Sequence, residues 1–102
     1  MDDTASSVRL VPIRLTDERW RHITEAHGEL AGMRREVLEA VSAPTMVLAG
    51  RFGELLAVRE TAPGRYLVVV YREADEDGFI ITAFLTSKPH FIGRRAKIWP
   101  IS

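Results

Sequence analysis

The segment Arg65–Thr86, RYLVVVYREADEDGFIITAFLT, decides the fold. It contains two runs of β-branched and aromatic residues, Arg65–Glu73 (RYLVVVYRE) and Gly78–Thr86 (GFIITAFLT). Such side chains suit a pleated, packed surface. Between the runs stands Asp75-Glu76-Asp77-Gly78, a polar, glycine-ended stretch that reads as a hairpin loop. LVVVY and FIITAF are apolar on both faces, so these strands belong at the centre of a sheet with helices over at least one face.

Upstream, Ala62-Pro63-Gly64 is a turn, Glu54–Glu60 a strand, Gly50-Arg51-Phe52-Gly53 a turn and Thr45–Ala49 a short apolar strand. Before Pro44 the period becomes helical. Met33, Val37, Ala40 and Val41 define the buried face of a helix starting near Leu30 or Gly32 and running to Ala43, where Pro44 stops it. An earlier helix begins at Thr16, a good N-cap, with Asp17 and Glu18 in the first turn, where acids suit the dipole. Trp20, Ile23, His27 and Leu30 form its apolar stripe, and Gly28 ends or bends it. Val8–Ile13 alternates weakly, and Pro12 makes it an edge strand. Residues 1–7 read as a disordered tail and 8–102 as a single domain. Downstream, SKPHFIGRR is a loop and Ala96–Pro100 a short last strand. The expected class is α+β: an N-terminal strand and two helices packed on one face of a mostly antiparallel twisted sheet of four to five strands.

Composition narrows the function. The chain has 102 residues, fourteen basic and fourteen acidic, and no cysteine, which excludes disulfides and cysteine-ligated metal. No apolar run approaches a membrane span, and the polar N-terminus lacks the features of a secretory signal, so a cytoplasmic protein is expected. Zero net charge is no advertisement for nucleic-acid binding. From Phe79 to Ser102, however, there are four cations (Lys88, Arg94, Arg95, Lys97) and no acid, a strip able to hold a phosphate or simply a solvated tail.

Two of the three histidines, His22 and His27, lie in the segment TDERWRHITEAH. Histidine is the usual carrier of protons near neutral pH. A helix turns residues five apart roughly 140° away from each other, so the two do not form a metal clamp. His27 lies on the apolar stripe, either as a structural histidine or at a helix–sheet cleft, while His22 lies off it. Thr82 and Thr86 share a face of the last long strand with Ile80 and Phe84, as strand formers or as phosphate-contacting hydroxyls. Arg59 shares a face with Leu55 and Ala57. Tyr66 and Tyr71 fall on opposite faces, and Tyr71 is the candidate for substrate binding, together with Lys88, Arg94 and Arg95. No phosphate-loop, dinucleotide or serine-elbow motif occurs, and no bound cofactor or metal is expected.

Taken together, LTDERWRHITEAHGEL, the helix ending in AP, GELLAVRE, YLVVVY, GFIITAFLTSK and RRAKIWP resemble phage-associated nucleases of the barnase–EndoU–colicin–RelE-like (BECR) fold. The resemblance covers Arg14 to Pro100. It implies a small α+β domain that cleaves RNA without metal, as a toxin or phage effector, with an antitoxin or other protein as a possible partner. By position it makes His22, His27, Thr82, Thr86 and, less directly, Arg59 the catalytic candidates. His27 is followed by Gly28-Glu29 where proline-glutamate is expected. Two other functions compete: a non-catalytic binding module of a phage or toxin–antitoxin assembly, and, more weakly, a small-molecule hydrolase.

Overall fold

The computed structural model describes residues 2–87 and 94–101. The central hairpin is formed by β5 (Arg65–Ala74) and β6 (Asp77–Thr86), antiparallel and joined by the two-residue turn Asp75-Glu76. Asp75 adopts a left-handed φ of 54°, a region acidic side chains tolerate in turns. The Pro63-Gly64 turn joins β5 to β4 (Leu55–Ala62), and β4 pairs with β3 (Met46–Ala49), the order of the expected meander. β7 (Lys97–Trp99) adds to the outside of β3.

The N-terminal end differs from expectation. Asp3–Ser6, which carries no pattern, forms β1, and the second strand is Pro12–Leu15 (β2) rather than Val8–Ile13. Ser7 is the reason. Its N–H donates to the Val11 carbonyl (2.9 Å), and its Oγ accepts from the Arg9 and Val11 amides (3.3 Å each). The same Oγ donates to Glu73 of β5 at 2.5 Å. A turn stands where a strand is expected, and β1 follows β2 by backbone pairing, which needs no side-chain pattern. β2 then runs parallel to β6, with Ile13 and Arg14 beside Gly78 and Phe79. A Cβ at Gly78 would come within 2.5 Å of both the Arg72 carbonyl and Ile13 Cδ1, so glycine is what admits β2 here. The sheet therefore has seven strands, not four to five, in the order β1-β2-β6-β5-β4-β3-β7, with one parallel pair.

Helix α1 spans Asp17–Ala26, and the Thr16 hydroxyl accepts from the Arg19 amide (3.0 Å), as expected of an N-cap. It stops at His27, one residue before Gly28, and a 3₁₀ turn, Gly28–Leu30, returns Leu30 to the core. Helix α2 is Arg34–Ser42 and buries Val37, Ala40 and Val41. Arg34 ties the N-terminal half together, donating to Asp3 (2.7 Å) and to the Leu15 carbonyl (3.4 Å) and pairing with Asp17 (2.8 Å). Burial disfavours its charge, but hydrogen bonds to Asp17 and Asp3 outweigh that and raise its pKa.

The helical residues close over one face of the sheet, where Ile13, Leu15, Leu55, Ala57, Leu67, Val69, Tyr71, Ile80 and Ala83 join Ile23, Leu30, Val37 and Val41. On the second face Leu48, Leu56, Val58 and Val68 are buried, with Met46, Tyr66, Val70 and Phe84 around them. Among the described residues no helix is long and apolar enough to cross a membrane.

Candidate active site

A β-bulge sets which residues of β6 reach the second face. Val70 is level with Thr82 but Tyr71 with Ile80, so Ile81 is the extra residue. Thr82, Phe84 and Thr86 therefore lie on the second face beside Val70, Val68 and Tyr66, whereas Ile80 turns into the helix-side core. The expectation that Ile80 shares the threonine face is corrected by this bulge. The Ile81 carbonyl accepts from the Arg19 guanidinium (3.4 Å), which ties α1 to β6.

His27 meets this face from the end of α1. Its ring lies 6.2 Å from that of Phe84, between the two threonines, at a tilt of 37°. The side chain is 34% exposed, and Nδ1 is 3.8 Å from Glu29. The residue that breaks the helix thus delivers an imidazole, still open to solvent, to the strand carrying the hydroxyls. At the Thr86 end of β6 opens a cleft of about 390 Å³ lined by Met33, Thr61, Arg65, Tyr66, Thr86 and Ser87, with Leu85; His27 is not among its lining residues. The hydrogen bond and charge of Glu60, with burial, raise the Tyr66 pKa and keep the phenol protonated. The cleft offers hydroxyl groups, a phenol and a guanidinium, a set suited to a phosphate.

The other candidates lie elsewhere. His22 is on the exposed side of α1, its Nε2 3.8 Å from Glu18 one turn earlier. Arg59 faces the helix side of β4, where its guanidinium donates to the carbonyl of Ala43 (2.7 Å), the C-cap of α2. The sheet itself separates it from Thr82 and Thr86. Tyr71 is wholly buried on the helix side, so it lines no surface. Its hydroxyl has no hydrogen-bond partner among the described residues. Arg95 donates to the carbonyl of Ala49 (3.4 Å), near the β3–β4 turn and in register with the Ile80 end of β6, away from Thr86. Arg94 precedes it and is exposed. Lys88 lies outside the described residues.

Sequence reasoning left Arg65, Tyr66 and Phe84 out of the site. The signal for the first two was the Ala62-Pro63-Gly64 turn, which makes Arg65 the first residue of its strand and so places it at the cleft end of β6. Phe84 had none, since an aromatic residue in an apolar strand reads as core. Among the described residues no three His, Asp or Glu side chains gather as a metal site requires.

No family model matches. No curated protein and no solved structure matches the chain either.

Proposed function

We propose that the protein is a metal-independent RNA endonuclease of toxin or phage-effector type, as the resemblance to the BECR nucleases implies. The observation that carries the reading is the placement of the His27 ring against Phe84, the residue between Thr82 and Thr86 on β6, a strand whose Thr86 end lines a cleft with Arg65, Tyr66 and Ser87. His27 takes the proton of a ribose 2′-hydroxyl, whose oxygen attacks the adjacent phosphorus and forms a 2′,3′-cyclic phosphate. The 5′ oxygen leaves and receives a proton from water in the open cleft. Arg65 offsets charge growing on the phosphate, while the Thr86 and Ser87 hydroxyls hold its oxygens. A single proton-transfer group contributes about 10²–10⁴-fold in rate.

The test is incubation with tRNA and mRNA in excess EDTA. Wild type is expected to leave 2′,3′-cyclic ends. His27→Ala should lose about two orders of magnitude or more, and His22→Ala should change little. Equal cleavage by wild type and His27→Ala would refute the assignment.

One observation favours a second reading. Only one of the two histidines reaches the hydroxyl strand, whereas acid–base cleavage is best served by two proton carriers. A non-catalytic binding module fits that, and would give a stable protein complex by native mass spectrometry with no RNA cleavage.

A further inference from the structure

The second face of β6 does not end at the cleft. At the far end of the strand stands Phe79, 47% exposed. In register it lies between Arg14 of β2 and Arg72 of β5. All three point away from the helix-side core, because their neighbours Ile13, Ile80 and Tyr71 point into it. Each arginine is held in place. Arg14 pairs with Asp77 at 2.9 Å. Arg72 donates to the Phe52 carbonyl (3.0 Å) and lies 3.8 Å from Glu54. Both arginine side chains stay partly exposed, at 50% and 38%. Phe52 itself, 79% exposed, sits on the loop that Arg72 secures.

We infer that this row is a second contact for single-stranded RNA, in which a base stacks on Phe79 while Arg14 and Arg72 meet the phosphates on either side. The inference rests on reading the cleft as an RNA site and extends it along β6. Phe79 to Thr86 is seven residues, roughly 23 Å at the rise of a strand, with Thr82 and Phe84 between. That length suits a short run of nucleotides laid on the sheet. An aromatic ring flanked by cations is a stacking platform for an unpaired base, and every base has a stacking face. Duplex RNA presents no free base face to a sheet, so the row selects single strands. Asp77 and Glu54 already pair with Arg14 and Arg72 and offset their charge, so the phosphates are met through the remaining N–H donors of each five-donor guanidinium, and an apolar protein surface would have to bury both ion pairs.

Binding is separated from cleavage by a fluorescein-labelled 2′-O-methyl octauridine, which lacks the attacking hydroxyl. Anisotropy titration of the full chain is expected to show Phe79→Ala and Phe79→Leu weakened about tenfold, with Phe79→Tyr near wild type. Arg14→Ala should weaken binding and lower the salt slope by about one. A duplex of the same length should bind at least tenfold more weakly. Thermal melts establish that the variants are folded. Unchanged affinity in Phe79→Ala and Phe79→Leu, equal binding of the duplex, or no binding by wild type would overturn the inference. Binding of the probe with the expected Phe79 dependence, but no cleavage of ordinary RNA, upholds the row and refutes the nuclease. Cleavage with normal KM in Phe79→Ala does the reverse.

Discussion

Leu10 holds a left-handed φ of 67° with 82% of its surface exposed. A branched side chain there costs about 1–2 kcal/mol and gains almost nothing from burial. Leu10→Gly is therefore expected to raise Tm by several degrees, read by calorimetry. Tyr71 carries the opposite kind of cost, a buried hydroxyl without a partner among the described residues. Tyr71→Phe should be neutral or stabilising by about 1 kcal/mol and should leave the proposed RNA cleavage unaffected. Burial, aided by the charge of Glu73 and opposed by Arg9, pushes the Tyr71 pKa up to about 12. The folded protein thus holds this proton more tightly than the unfolded chain does, near 10. The contribution is complete below pH 10 and is lost as pH rises toward 12. Tm should fall across that window, and less steeply in Tyr71→Phe. At this scale the sequence was informative about type but not about depth. That Tyr66 and Tyr71 face opposite ways follows from strand alternation; which of them meets solvent depends on the helices, whose placement no local pattern states.

Among the elements, α2 ends on a charge borrowed from the sheet. Arg59 binds the Ala43 carbonyl at its C-terminus, where a cation is favoured. Arg59→Ala should cost about 0.5–1 kcal/mol in a urea melt without lowering the proposed RNA cleavage, whereas Arg65→Ala should lower that cleavage without comparable loss of stability. The two helices, the meander β3–β6 and their turns were legible because period, caps and glycines agree locally. The threonine strand was half legible: alternation alone relates Thr82 to Thr86, but the bulge at Ile81 decides that Ile80 leaves their face. His27 was named for its place on an apolar stripe. In the structure it sits where the helix breaks, which is why its ring turns to Phe84.

Across the whole molecule, an N-terminal ribbon, β1–β2, is sewn to the meander. The seams are Gly78, the Ser7–Glu73 hydrogen bond and the Arg14–Asp77 ion pair. Local pattern offered only a weak edge strand over Val8–Ile13 and not its pairing, because the ribbon's partners are some sixty positions distant in sequence. Gly78→Ala, which must displace backbone as well as Ile13, is expected to destabilise by about 1–3 kcal/mol. Hydrogen exchange should then show β1 and β2 losing protection before β4 and β5.

The bulge also gives β6 one residue to spare. Removing Ile81 leaves Phe79, Thr82, Phe84 and Thr86 on one side and Ile80 and Ala83 on the other, so the alternation survives with the kink taken out. Ile80 and Ile81 are the same residue type, so removing either gives the same chain, and the strand is buffered against a one-residue deletion at this pair. A variant lacking Ile81 should fold, yet lose the Arg19 anchor and the bend that aims the last turn of β6. Shortening at Ala83 instead would have to spend the spare residue, turning Thr82 into the core and Ile81 out to solvent. A one-residue shortening of this strand should therefore be tolerated at the Ile80–Ile81 pair and not at Ala83.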